Sequence, residues 1–160
     1  MVRLEPMTDP EFRELLSALD REYAEDHVRA GTWPKEGSLE RAHAETTSLL
    51  PQGLQTPDQF LRTVVDERTG QRVGEVWYAV RQDGLLRELW IYWVGVAEGH
   101  RRHGFGQAVL VQLEEEARRL GVSHLALHVF GDNQPARELY TRMGYGMTNI
   151  RMMKVLAPQK

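Results

Sequence analysis

The sequence predicts a single α/β (α+β) domain, a mixed, mostly antiparallel sheet of about six or seven strands flanked by about four helices. Three features of the chain carry this expectation. Residues 60–95 read as three consecutive strands joined by tight turns, with Asp83-Gly84 the strongest hairpin signal. The apolar run 89–96, rich in β-branched and aromatic residues, then meets a basic turn, Arg101-Arg102-His103-Gly104-Phe105-Gly106, that opens directly into a helical pattern. After that helix comes a further strand at 124–130, so the chain must cross over the sheet in a strand–helix–strand unit.

The elements follow in order. Residues 1–7 make a short strand with Val2 and Leu4 inward, ended by Thr8-Asp9-Pro10. Thr8 or Asp9 caps a helix whose face is Phe12, Leu15, Leu16, Leu19 and Tyr23, and which gives way to a Gly/Pro-punctuated connection after about Glu25. A second helix is expected at 38–50, with Ser38 as its cap and only a weak apolar face from Leu39, Ala42, Leu49 and Leu50. Residues 51–58, with two prolines and a glycine, read as a loop, and strands follow at 60–67, 72–80 and 86–95. The helix from Gly106 buries Val109, Leu110, Leu113, Ala117 and Leu120 and stops at Gly121. The strand 124–130 leads to a helix started by Asp132 or Asn133, with Pro135 in its first turn and Gly144 at its end. A last strand is expected at 145–155.

Composition narrows the chemistry. At 160 residues and 41% apolar content the chain can bury one substantial core. A formal charge of −3 gives no reason to expect attraction to nucleic acid or to an anionic membrane. There are no cysteines, which excludes disulfides, thiolate metal ligands and an enzyme thioester. The first residues hold neither a signal core nor a membrane span, so cytoplasmic residence is the default expectation. His100 with His103, and His124 with His128, invite a metal reading. The second pair lies about 13 Å apart on a strand, too far for one ion, and no metal is expected.

The junction at 96–106 is the candidate ligand site. Two glycines allow close backbone approach, and a helix start with free N–H groups and flanking arginines attracts phosphate. No lysine followed by Ser or Thr comes after the glycines, as a nucleotide P-loop requires, and the third glycine of a dinucleotide fingerprint is missing at 107–110.

Arg101-x-x-Gly104-x-Gly106 after a hydrophobic strand resembles the acyl-coenzyme A pyrophosphate loop of the Gcn5-related N-acetyltransferase (GNAT) superfamily. Val129, Asn133, Ala136, Leu139, Tyr140, Gly144 and Tyr145 resemble the strand, helix and strand that follow it there. The resemblance is good over 60–155 and only general before that. It implies an acyl-CoA N-acyltransferase fold over 1–156, with acceptor-side helices and loops at 8–55, a cofactor-binding core at 60–156 and a tail at 157–160. It further implies acetyl-CoA as co-substrate. The backbone at Val94 and Val96 would pair with the pantetheine arm, and the amides of Arg102, His103, Gly104, Phe105 and Gly106 would hold the pyrophosphate with charge from Arg101 or Arg102. Asn133 and Ala136 would contact the cofactor or order its loop, and Tyr140 would return a proton to the leaving thiolate. A homodimer is implied in the same way.

The implied reaction is attack of a neutral primary amine on the thioester through a tetrahedral intermediate, which needs a base and a stabilised oxyanion. Glu88 is the candidate base, acting through water, or else half of a surface salt bridge. A bulge at Val94-Gly95 could aim an N–H near Val96 at the thioester carbonyl. On the acceptor side Trp33 either stacks on substrate or pins its loop, and Glu75 and Tyr92 are candidate substrate contacts. Asp26, Glu36 and Glu75 could draw a cationic amine. A small-molecule acceptor is the leading expectation; a peptide or protein amine, and a non-catalytic acyl-CoA-binding module, are the alternatives.

Overall fold

The computed structural model describes residues 1–159; of the tail expected at 157–160, Lys160 lies outside the described residues. Five strands form one sheet in the order β1-β2-β3-β4-β5: β1 (Val2–Pro6), β2 (Gln59–Asp66), β3 (Arg72–Asp83), β4 (Leu86–Val96) and β5 (His124–Leu127). The first four are antiparallel neighbours, and β5 runs parallel to β4. Four helices cover it: α1 (Asp9–Arg29), α2 (Ser38–Leu49), α3 (Phe105–Arg119) and α4 (Gln134–Arg142).

Local chemistry sets the helix ends. Thr8 caps α1 in a capping box: the Glu11 N–H donates to the Thr8 hydroxyl at 3.4 Å, and the Thr8 N–H donates to the Glu11 carboxylate at 2.9 Å. Such a cap stabilises a helix by about 1 kcal/mol. The helix continues past Glu25 to Arg29 because its last turns have a partner in the next loop. The His27 ring stacks on Trp33 with centroids 4.0 Å apart, and Tyr23 meets both rings edge-on. Ser38 does not cap α2. Gly37 occupies that position at φ 76°, while the Ser38 hydroxyl donates to the Lys35 carbonyl at 2.8 Å.

Two apolar layers sandwich the sheet. On one face α3 presents Val109, Leu110, Leu113 and Ala117 to Val2, Val64, Val76, Tyr78, Leu89 and Ile91, with Leu139 and Tyr140 of α4 and Met143 at its C-cap along the margin. On the other face Leu15 and Leu19 of α1 pack on Leu61 and Trp77, with Leu50, Tyr92 and Trp93 alongside. A third, small cluster of Ala24, Trp33 and Ala42 joins α1, its following loop and α2.

Two expectations for strands fail, and with them the count of six or seven. The strand expected at 124–130 ends at Leu127, and residues 145–155 form no strand. Both lack a neighbour: β5 pairs only with β4, so nothing holds 128–130 or the final segment in a ladder. An apolar segment forms a strand only where a second strand satisfies its backbone.

Trp33 proves to be an anchor of its loop. It is 7% exposed, stacked on His27 and covered by the Arg41 guanidinium 4.4 Å from its ring centre. We expect Trp33→Ala to lower the free energy of unfolding by about 3 kcal/mol in chemical denaturation, the scale of a large aromatic lost from a core. A loss below about 1 kcal/mol would contradict the packing described.

Candidate active site

The site is made by two strands that part. The ladder between β4 and β5 runs from Glu88↔His124 to Ile91↔Leu127 and stops there. On the other side of β4, Tyr78 pairs with Ile91 and Trp77 with Trp93, which leaves Tyr92 as the extra residue of a bulge. The bulge therefore lies at Tyr92, not at Val94-Gly95, where pairing with β3 is regular. It turns both Tyr92 and Trp93 toward the layer under α1, with the Tyr92 ring stacked on Trp77 at 4.3 Å. A bulge increases local twist and bends its strand. Beyond Ile91, β4 keeps its β3 ladder but has no strand on the β5 side, so this open edge includes Val94 and Val96.

Gly95 is regular because a side chain has no room there. A Cβ at Gly95 would meet the Glu75 carboxylate and the Trp93 indole, and one at Gly74 would run into the Gly95 carbonyl. Gly95 is the ladder partner of Glu75, and with no side chain there the Trp93 indole N–H donates to the Glu75 carboxylate at 3.4 Å. Glu75 also meets Arg72 at 3.5 Å, which reaches Glu14 of α1 at 3.2 Å. Glu75 and Tyr92 thus share the α1 side of the sheet, both partly exposed.

The basic turn follows β4. Arg101 bends back so that its Nε donates to the Val96 carbonyl at 3.1 Å, fastening the turn to the strand end. Arg102 at φ 64° and Gly104 at φ 80° are both left-handed, and Gly104 is the N-cap of α3. Among the described residues the amides of 102–107 donate to no protein acceptor, and Ala108 is the first to bond, to the Gly104 carbonyl at 3.0 Å. This is a run of outward N–H groups at the positive end of a fifteen-residue helix. Gly106 brings α3 against α4, where an added Cβ would lie 3.2 Å from Leu139. Phe105 turns inward to the main core, and His103 stays exposed.

Across the opening stands the start of α4. The Asn133 side chain accepts from the Ala136 N–H at 3.4 Å and caps the helix. Tyr140, two turns on, packs at the margin of the core with its ring 5.7 Å from that of Tyr145. Burial raises the Tyr140 phenol above its ordinary pKa, so it stays protonated at neutral pH.

Between α1 and α4 lies an open cleft of about 460 Å³, lined among others by Arg21, Glu22, Glu25, Asp26, Arg29, Asp132 and Asn133. Arg29 spans it, paired with Asp26 on its own helix and with Asp132 at 2.5 Å across the gap. Glu22 and Glu25 have no ion-pair partner among the described residues. Glu22 is exposed on the cleft wall, yet partial desolvation first, then the Asp26 charge, raises its pKa; Arg101 is the largest opposing influence. Sequence reading singled out Asp26 here but missed Glu22, Glu25 and Arg29. Their spacing of three, four and seven residues along the polar face of α1 was the available signal.

Glu88 is not at this site. It is 4% exposed, held by the Arg81 guanidinium at 2.9 Å, and sits near the start of β4. The loop leaves the other end of that strand, roughly 25 Å away at the standard rise. Trp33, Glu75 and Glu88 do not line the cleft.

The Acetyltransferase (GNAT) family matches residues 13–145. Two proteins of Bacillus subtilis (strain 168) are similar over nearly the whole chain. The uncharacterized N-acetyltransferase YdgE is 35% identical over 96% of this chain and 97% of its own. The uncharacterized N-acetyltransferase YycN is 36% identical over 97% and 99%, and its crystal structure superposes with a TM-score of 0.91 over 99% of this chain and 100% of that one. AAC(6')-Iy in complex with the bisubstrate analog CoA-S-monomethyl-acetylneamine shares the fold at a TM-score of 0.64 and 12% identity, over 98% of this chain and 99% of that one. Parted parallel strands, a turn of free amides opening α3 and this kinship together assign the chain to the GNAT family, as an acyl-CoA-dependent N-acetyltransferase.

Proposed function

We propose that the enzyme, as a homodimer, transfers the acetyl group of acetyl-CoA to the primary amine of a small cationic molecule by direct attack. The observation that carries this reading is the juxtaposition of two opposite fields. The free amides of 102–107, with Arg101 and Arg102, face an anion, and the neighbouring cleft sets Glu22, Glu25, Asp26 and Asp132 against only Arg21 and Arg29. A pyrophosphate fits the first and an ammonium group the second. In AAC(6')-Iy the shared fold carries a CoA-linked acetylneamine, which supports a small acceptor.

The donor set suits acetyl-CoA, which brings the activated acetyl group as a thioester. The open edge of β4 at Val94 and Val96 offers backbone groups to an amide-bearing arm, as a neighbouring strand would. Arg101, already bound to the Val96 carbonyl, keeps the turn in register with that edge. Asn133 and Ala136 belong to the facing helix start and hold the other wall.

Glu22 replaces Glu88 as the proposed base. An amine attacks only when neutral, and a carboxylate with a raised pKa is the better proton acceptor. Glu22 takes the amine proton; Tyr140, neutral at working pH, gives one to the departing sulfur. Glu75 and Tyr92 share the α1 side of the sheet but lie outside the cleft lining, and no acceptor contact is assigned to them.

The direct test is a screen of cationic small amines and of peptides with acetyl-CoA, with mass detection of the product. Acetylated small amines are expected. Acetylation of peptides alone would replace this acceptor class, and tight acetyl-CoA binding with no product from any amine would make the protein a binding module.

Two variants test the roles. Glu22→Gln is expected to lower kcat/KM by about a hundredfold or more. In the wild type, protonation of Glu22 removes the base, so activity falls as pH drops through a pKa above the usual carboxylate range; that limb should vanish in the variant. Tyr140→Phe is expected to lower kcat under conditions where chemistry limits the rate, and an unchanged rate across pH would remove Tyr140 from the proton-donor role.

Gly104→Val tests the turn. A β-branched residue at φ 80° carries a penalty of about 1–2 kcal/mol, and the amides should lose their aim. Acetyl-CoA affinity, read by calorimetry, is expected to drop about tenfold or more, and unchanged affinity would contradict the assignment.

A further inference from the structure

The segment that leads from β5 to α4 is held without a strand beside it. The β5 ladder ends at Leu127, and the bonds that follow are local ones. The Asn133 N–H donates to the Phe130 carbonyl at 3.0 Å, and Arg137 of α4 donates to the Gly131 carbonyl at 2.9 Å. These bonds shape the segment but do not fix it against the body of the molecule. Among the described residues, two ties do so, one ionic and one aromatic, and both come from the last turn of α1.

The ionic tie is Arg29. Its Nε donates to the Asp132 carboxylate at 2.5 Å, and its Nη2 donates to Asp26 on its own helix, so the guanidinium is oriented before it crosses the cleft. Asp132 directly precedes Asn133, the N-cap of α4. The aromatic tie is His27. Its ring meets Phe130 edge-on with centroids 5.4 Å apart, stacks on Trp33 at 4.0 Å, and places Nδ1 2.6 Å from the Thr32 hydroxyl. Burial, ahead of the nearby charges, lowers the pKa of His27, so the ring is neutral at working pH and serves as an aromatic surface.

An exposed ion pair adds little to folding stability, and Arg29 and Asp132 are each 52% exposed. Such a tie matters where it sets the place of a binding group, since a shift of about 1 Å is enough to lose a contact. We propose that Arg29 is a positioning residue for acetyl-CoA: acting through Asp132, with His27 on Phe130 as the second tie, it holds residues 128–133 so that Asn133 and the start of α4 stay at a fixed distance from the amides of 102–107. The role rests on α4 being the second wall of the cofactor site. Arginine suits it because one guanidinium bonds two carboxylates at once through different nitrogens, where lysine brings a single nitrogen.

Acetyl-CoA affinity, read by calorimetry on the full chain with no acceptor present, tests the proposal. Asp132→Ala is expected to weaken binding about fivefold. Charge alone predicts the reverse, because removing a carboxylate near an anionic ligand tightens its binding. Arg29→Lys keeps the charge and should weaken binding by a similar factor. Arg29→Ala/Asp132→Ala should also lose about fivefold rather than the product of the two single losses, as expected for partners in one contact. In turnover, Asp132→Ala should raise KM for acetyl-CoA while kcat at saturation stays within about twofold of the wild type. Both side chains are half exposed, so these variants keep the fold. Unchanged or tighter binding in Asp132→Ala, or single losses that multiply in the double variant, would overturn the positioning role. Asn133→Ala separates that failure from a failure of the site itself. If Asn133→Ala binds acetyl-CoA as the wild type does, α4 is no wall of the cofactor site and the proposal falls with it. If it binds more weakly and Asp132→Ala does not, the wall stands and the positioning role alone is refuted.

Discussion

The rest of the site depends on β4 and β5 parting after Ile91. Parallel neighbours normally share an unbroken ladder, because each unpaired amide or carbonyl left in a protein interior costs free energy. Here one extra residue, Tyr92, bends β4 and ends the shared ladder, and the second half of the strand keeps only its β3 partner. On the β3 side Tyr92 stacks on Trp77, and the backbones at Gly74 and Gly95 approach too closely for a Cβ. The backbone groups freed on the open edge are the polar surface that an acyl-carrying arm can use.

The two ends of the opening are held by different physics. At the turn, conformation decides: left-handed Arg102 and Gly104 aim a series of N–H groups outward, and Gly106 lets α3 sit against Leu139. Across the cleft, charge decides. Arg29, held by Asp26 on its own helix, ties α1 to the loop before α4 through Asp132, which leaves Glu22 and Glu25 without an ion-pair partner among the described residues. Desolvation, then the Asp26 charge, raises the pKa of Glu22 above that of an ordinary glutamate, and desolvation raises that of Tyr140. The acid and base roles proposed for Tyr140 and Glu22 rest on these shifts rather than on a special motif.

What was legible in the sequence was what local chemistry determines. The capping of α1 by Thr8, the left-handed Gly104 and Gly121, the Asn133 cap and the alternation of β2 to β4 each express a preference within a few residues. What was not legible depends on partners distant in the chain. Trp33 could stack on a substrate or on His27, and only the return of the loop onto α1 decides between them. Glu88 has the parity of a cleft residue, yet its strand position and Arg81 remove it from the site. The bulge fell at Tyr92 rather than at Gly95, since glycine here relieves crowding across the ladder instead of interrupting it. The last strand expected at 145–155 has no ladder, which is a fact about its neighbours rather than its residues.

The central claim is that the turn opening α3 and the free edge of β4 form one continuous cofactor site. Backbone amide NMR during titration with coenzyme A addresses it most directly. The largest shifts are expected at 102–107, with a second group at 92–96 and at Asn133. Saturable binding that leaves the amides of 102–107 unmoved would contradict the account.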